Sequence, residues 1–259
     1  MQLLPLPALS DNYIWALVDD DGGAVIVDPG EAAPVFAAAE HGLRPVAVLL
    51  THHHPDHIGG TDTLQQRWPG LAVFAPDDVR IACATETVGE GADVGCGRWR
   101  FSVLEVPGHT RSHVAYVLHA DGGNEAVFCG DTLFSLGCGR MFEGTPAQMH
   151  RSLMRLAALP GSTRVCCGHE YTLANAAFAR TVDPHNPALE RRTTEAQAMR
   201  DSAQPTLPST IASERACNPF LRCTQPEIVA AVASRLGHAP ADEVATFAEL
   251  RRWKDGFRE

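Results

Sequence analysis

Residues 46–60 read VAVLLTHHHPDHIGG. Five apolar residues run into Thr51, and then four histidines and one aspartate occupy the six positions 52–57. The run 46–50 has the unbroken apolar character of a strand buried on both faces. Positions 52–57 are rich in metal-seeking types, since imidazole and carboxylate are the usual protein ligands for zinc, iron and manganese. His52 and His54 are two apart, so in an extended segment they project to one side. His53 alternates away from them, and Asp56 and His57 fall in the turn before Ile58.

The same arrangement recurs downstream. FSVLEVPGHT (101–110) delivers His109, EAVFCGDT (125–132) delivers Asp131, and TRVCCGHE (163–170) delivers His169. Each time an apolar run ends, a glycine loosens the turn, and the ligand comes next. In layered α/β proteins sites collect beyond strand ends, where loops converge on a rigid sheet. Seven ligands, five His and two Asp, suffice for two metals sharing one carboxylate. His41, His119, His150, His185 and His238 have no such setting and read as structural or exposed. His113, in GHTRSHVAY, fits a supporting hydrogen bond to a ligand.

Composition narrows the partners. With 259 residues, 45% apolar and 20% charged, the chain reads as soluble and globular. Its formal charge of −10 argues against nucleic acid or an anionic membrane as the main partner, so an anionic substrate requires a local basic patch. No apolar stretch approaches the roughly 20 residues of a membrane-spanning helix. The start, MQLLPLPALSDNY, lacks a basic leader, and Pro5 and Pro7 interrupt its apolar run, so no signal peptide is expected. The eight cysteines include no C-x-x-C pair and fit reduced, buried thiols of a cytoplasmic protein, with Cys166 and Cys167 lining a buried strand.

To about residue 168, short β-like runs alternate with turns and helical stretches. YIWALVDD and GAVIVDPG form a hairpin around 20–23, and EAAPVFAAAEHGL, TDTLQQRW and TPAQMHRSLMRLAAL have helical patterns. Beyond 170 the chain is Ala-rich and helix-like, with joints at Pro184, Pro187, Pro205 and Pro208. The expected organisation is a mixed α/β domain over 1–168 and a smaller helical domain over 169–259.

THHHPDH, PGHT, CGDTLF and CGHEYT resemble the metallo-β-lactamase superfamily. LSDNYIW (9–15), GCGRMFEGT (137–145), GHEYTLAN (168–175), NPAL (186–189) and the terminal LRRWKDGFR resemble, within it, the glyoxalase II (hydroxyacylglutathione hydrolase) family. The likeness spans essentially the whole chain. It implies a four-layer αββα sandwich with a C-terminal helical domain after it. It also implies that His52, His54 and His109 hold one metal and Asp56, His57 and His169 the other, with Asp131 bridging. The metals would be two divalent ions, zinc foremost, with iron or manganese as the alternatives. Asp28, in VIVDPG, matches a position beside the site.

The resemblance further implies a substrate site. Arg251, Lys254 and Arg140 match cations that grip the glycine carboxylate of glutathione, and Tyr171 and Asn175 match glutathione contacts. Phe142 departs from the family where some members carry tyrosine, and Ser112 where many carry glycine. The implied reaction is hydrolysis of S-D-lactoylglutathione to D-lactate and glutathione by a hydroxide bridging the metals, with Asp56 and Asp131 as catalytic carboxylates, in a cytoplasmic monomer. The competing readings are a glutathione persulfide dioxygenase with one iron, a β-lactamase, a nuclease, and a non-enzymatic protein with structural metal. A thiolate leaves readily without acid assistance, which suits the first reading. Structural zinc is closed and often cysteine-ligated, which disfavours the last.

Overall fold

The computed structural model describes residues 2–120 and 123–258. The chain forms two compact units that interleave in sequence. Met1–Glu105, Ser112–Gly130 and Cys166–Glu170 make the first; Val106–Arg111, Asp131–Val165 and Tyr171–Glu259 make the second.

In the first unit β1 (Gln2–Ala8), β2 (Asn12–Val18) and β3 (Gly23–Val27) form an antiparallel meander. Helix α1 (Ala33–Glu40) then crosses over to β4 (Arg44–Leu49), which lies parallel to β3. After β4 come α2 (Pro55–Ile58) and α3 (Thr61–Arg67), then β5 (Ala72–Pro76) and β6 (Glu86–Val88), again parallel to their neighbours. A second, antiparallel sheet runs through β7 (Asp93–Cys96), β8 (Trp99–Glu105), β9 (Val114–Ala120) and β10 (Gly123–Gly130). The β-like runs of the sequence become β2–β5 and β8–β10. The proline-interrupted start nevertheless forms a strand, because β1 lies at the sheet edge, where a missing N–H costs no ladder bond.

Residues 12–17 of β2 are all buried, so both faces of this sheet are covered. Ile14 and Ala16 join Ile26, Val48, Val35 of α1 and Leu64 of α3 in one core. Trp15, on the opposite face, donates from Nε1 to the Cys167 carbonyl at 2.9 Å. The hydroxyl of Tyr116 on β9 lies 3.0 Å from the Leu50 carbonyl and 3.1 Å from that of Phe74, joining the sheets. Each such large side chain contributes about 1.5–3 kcal/mol by leaving water.

The second unit contains a tight hairpin, β11 (Leu133–Phe134) and β12 (Gly137–Cys138), with α4 (Pro146–Ala157) after it. Thr145 and Gln148 cap α4 reciprocally, which satisfies its first free N–H groups. Strand β13 (Arg164–Cys167) pairs through Arg164 and Val165 with β14 (Ser209–Thr210). The rest is helical: α5 (Thr172–Val182), α6 (Pro187–Asp201), α7 (Ile211–Cys217), α8 (Pro226–Leu236) and α9 (Glu243–Asp255). Phe178 packs against Phe220, Trp253 and Phe257, fastening α9 to α5. Among the described residues no helix is long and apolar enough to cross a membrane. None of the eight cysteines is in a disulfide, and Cys166 and Cys167 are buried.

Candidate active site

The parallel register of β3 and β4 places a first cluster of candidate ligands. Val27 stands opposite Leu49, and the ladder continues as Asp28 N–H donates to the Leu49 carbonyl at 3.0 Å. Asp28 therefore emerges beside Thr51, in a left-handed conformation (φ 51°) that few side chains other than Asn and Asp adopt. Its Oδ1 accepts from Thr51 N at 2.8 Å; its Oδ2 accepts from Thr51 Oγ1 at 2.7 Å and from His57 Nδ1 at 3.0 Å. A carboxylate only accepts, so the His57 proton sits on Nδ1 and Nε2 keeps its lone pair. The Thr51 hydroxyl proton is committed to Asp28, so this oxygen accepts from His52 Nδ1 at 3.0 Å. One buried carboxylate thus aims two imidazoles, His57 directly and His52 through Thr51.

His169 is fixed in the same manner from elsewhere in the first unit. Asn12 and His169 form a bridge, Tyr13 N–H donates to the Gly168 carbonyl at 2.8 Å, and Asp11 Oδ1 holds His169 Nδ1 at 2.8 Å. Asp56 Oδ2 then lies 3.5 Å from His57 Nε2 and 3.4 Å from His169 Nε2, and accepts from Asn12 Nδ2 at 3.1 Å. His52 Nε2 and His54 Nδ1 face each other at 3.0 Å, a separation at which two lone pairs repel unless a proton or cation lies with them. Donor atoms of Asp56, His57 and His169 lie within 4.8 Å of one another, as do those of Asp28, His52 and His57. Imidazole lone pairs and carboxylates gathered this closely, with rings tied down through their other nitrogens, are a donor set for divalent metal.

His109 and Asp131 belong to the second unit. His109 Nδ1 donates to the Arg140 carbonyl at 2.8 Å, leaving Nε2 at 3.4 Å from Asp131 Oδ2. Both line a cavity of about 420 Å³ together with Arg140, Phe142, Tyr171, Asn175, Arg251 and Lys254. All six positions expected to hold substrate therefore open onto one space. Arg140 is exposed at its rim. Lys254 donates from Nζ to the Ala174 carbonyl at 2.8 Å and stands over the rings of Phe178 and Phe257. Arg251 is only 4% exposed; Nη1 donates to the Cys138 carbonyl at 2.8 Å and Nη2 pairs with Asp255 at 2.9 Å. Asn175 donates from Nδ2 to the Ser135 carbonyl at 3.0 Å. The ring of Phe142, 64% exposed, stands edge-on to His109 with centroids 5.3 Å apart.

Residues 13–169 match the metallo-beta-lactamase superfamily, and residues 170–257 match the description Hydroxyacylglutathione hydrolase C-terminus. Over 259 residues the chain is 64% identical to the hydroxyacylglutathione hydrolase of Xanthomonas euvesicatoria, covering 100% of both. The chain belongs to the hydroxyacylglutathione hydrolase family. Among solved structures, ETHE1 from Myxococcus xanthus is 28% identical with a TM-score of 0.58, covering 86% of this chain and 99% of that one. TTHA1623 in a di-iron-bound form is 29% identical with a TM-score of 0.51, covering 65% and 92%. The fold of this hydroxyacylglutathione hydrolase family member is the α/β metallo-beta-lactamase fold with mixed sheets and a helical C-terminal region.

Several supports of this site lie outside the ligand positions. The Asp11 and Asn12 side chains reach His169 and Asp56 where Asn12 bridges His169, and the Arg140 contribution to His109 is a backbone carbonyl. His113 stacks on His52, with centroids 4.5 Å apart and planes at 15°, and its Nδ1 bonds the Val114 carbonyl. Ser112 gives its departure from the family pattern a role: Oγ donates to Asp78 Oδ2 at 2.6 Å. Arg80, bonded to the same carboxylate, holds Asp78 well below the usual carboxylate range. His53 Nδ1 turns toward Asp78 at 3.6 Å.

Asp28→Asn is expected to weaken metal binding by about 10–100-fold, the usual cost of losing a partner that orients ligands. Asparagine tolerates the left-handed backbone, so the change isolates charge and hydrogen bonding. Competition against a chromogenic chelator measures it, and wild-type affinity in the variant would show that Asp28 does not orient the rings.

Proposed function

We propose that this protein hydrolyses glutathione thioesters of 2-hydroxy acids, S-D-lactoylglutathione foremost, to the free acid and glutathione. His52, His54 and His109 would hold one divalent metal, Asp56, His57 and His169 the other, and Asp131 would bridge them, with zinc the expected occupant. The observation that carries this reading is a single cavity where His109 and Asp131 share walls with Arg140, Arg251 and Lys254. That cavity supplies the local basic patch an acidic protein needs for an anionic substrate. The 64% identical relative, a hydroxyacylglutathione hydrolase by name, supports the same substrate class.

Two divalent metals, when bound, lower the pKa of water toward 7 and polarise a thioester carbonyl. The chain's own residues do the rest. Asp56 orients the attacking water and takes its proton at a carboxylate oxygen. Phe142 covers His109 on the open side and limits water there. Arg140 and Lys254 bind the terminal carboxylate of the tripeptide, which brings the scissile bond to His109 and Asp131. Glutathione departs as a thiolate, for which no general acid is required. We further infer a metal-binding catalytic domain over 1–168 and a helical substrate-binding domain over 169–259, with His169 nonetheless among the metal ligands and Arg140 and Phe142 among the substrate contacts, and that the protein works as a cytoplasmic monomer.

The test couples metal analysis with ultraviolet loss of the thioester. About two equivalents of metal per chain and rapid hydrolysis of S-D-lactoylglutathione, abolished by chelation and restored by zinc, are expected. Oxygen uptake with glutathione persulfide on one iron, and no thioester hydrolysis, would replace this reading with the dioxygenase.

A further inference from the structure

We propose that Glu214 and Asn218, at the end of α7, are positioning residues that set the β11–β12 hairpin and, through it, His109, Asp131 and Arg140. This rests on the thioester reading of the cavity. Both residues have no solvent exposure, so neither touches a ligand. Their effect on the reaction runs through the backbone they hold.

The hairpin is unusual for its burial. Tight two-residue turns ordinarily carry Gly or Asn and face water. Here the turn residues are Ser135 and Leu136, with Leu136 at φ 60° and fully buried among Ala176, Ala179, Leu189 and Cys217. Its peptide groups cannot reach solvent and require protein partners. Glu214 Oε2 accepts from Leu136 N at 2.8 Å. Asn218 Nδ2 donates to the carbonyls of Phe134 at 3.1 Å and Gly137 at 2.9 Å, and reaches Glu214 Oε2 at 3.1 Å. Asn175 and Arg251 take the carbonyls of Ser135 and Cys138, and Arg192 Nη2 reaches Ser135 Oγ at 3.3 Å.

The segments flanking this hairpin are the working ones. Asp131 lies two residues before β11, and Gly139 N–H closes back on the Thr132 carbonyl at 3.2 Å. A side chain at Gly139 would collide with the Asp131 carbonyl and crowd His109 Nδ1. The next carbonyl, of Arg140, holds that same Nδ1. A shift of the hairpin therefore moves the Asp131 carboxylate and the His109 ring together. Burial pushes the Glu214 carboxyl up, while Ser209, the Leu136 amide, Asn218 and Arg192 pull it back. The oxygen that accepts from Leu136, more than the charge, is what the hairpin needs.

Four variants test this on the full-length protein: Glu214→Ala, Glu214→Gln, Asn218→Ser and, as a control, Asn186→Ala, which removes the α6 cap and its bond to the Ala216 carbonyl but none of the hairpin's own hydrogen bonds. Zinc affinity by chelator competition, metal-free Tm, and kcat and KM are read for each. Glu214→Ala should weaken zinc binding by about tenfold and lower kcat of the loaded enzyme comparably, with a smaller change in KM. Glu214→Gln, which keeps an acceptor for Leu136, should restore both to within about twofold. Asn186→Ala should lower Tm without moving zinc affinity. Wild-type zinc affinity and kcat in folded Glu214→Ala overturn the proposal, as does a Gln variant as impaired as Ala or a control that loses zinc equally. Should Glu214→Ala fail to fold, Asn218→Ser decides on the same readings, because serine keeps the cap on Phe220 N while removing the donors to Phe134 and Gly137. If the wild type hydrolyses no thioester, the proposed function falls, yet the zinc comparison still judges the hairpin.

Discussion

Asp131→Ala is expected to strip the protein of metal and to reduce turnover about a thousand-fold. The expectation rests on charge. Asp131 is 7% exposed, and its Oδ2 lies 3.4 Å from the Nε2 of His109, whose other nitrogen is already committed to the Arg140 carbonyl. Divalent cations in a largely buried site require anionic ligands to offset their lost hydration, and this carboxylate serves both metals in the proposed arrangement. The metals supply several kcal/mol of transition-state stabilisation; about 4 kcal/mol corresponds to a factor of about 10³ in rate. His54→Ala should behave alike, since it removes the imidazole that faces His52 at 3.0 Å. His185→Ala, at an exposed histidine away from these ligands, should leave both readings unchanged. Metal per chain and kcat on the thioester measure the effect. Full metal and full turnover in Asp131→Ala or His54→Ala would remove those residues from the site.

Much of the scaffold was legible because burial on both faces leaves a simple record. Residues 47–50 and 126–129 are buried apolar runs that mark β4 and β10, whereas Val46, which continues the first run in the sequence, is exposed. The candidate ligands stood out because His and Asp directly after a strand have few packing reasons to be there. The features that escaped the sequence depend on which distant segments the fold brings together. Asp11 matters because Asn12 bridges His169, and Arg140 orients His109 through a carbonyl that every residue possesses. Glu214 is the sharpest case. In IASERACNPF a glutamate beside an arginine reads as a solvated helix face, yet its carboxyl is fully buried and caps the Leu136 amide. The β11–β12 hairpin, whose turn lacks glycine at its left-handed position, carried no turn signature either.

Lys254 and Arg251 should separate by kinetics, although both line the cavity and both match glutathione-gripping positions. Lys254 bonds a helix carbonyl, that of Ala174, and leans on two aromatic rings, so Lys254→Ala leaves the hairpin untouched. A charge-assisted contact to a carboxylate at a part-exposed position is worth about 1.5 kcal/mol after screening, which raises KM by about tenfold with kcat unchanged. The wild-type KM should climb with ionic strength, and that of Lys254→Ala should climb less. Arg251→Ala should do more, because it also leaves the Cys138 carbonyl without its donor and Asp255 without its i,i+4 partner. A buried acceptor stripped of its partner costs about 1–3 kcal/mol, so kcat and Tm should fall alongside the rise in KM. The double variant should raise KM by about a hundred-fold at low salt if the two contacts add. A Lys254→Ala enzyme with unaltered KM and salt dependence would exclude this ammonium from the carboxylate grip. An Arg251→Ala enzyme that changes KM alone would show that its bond to the hairpin is dispensable.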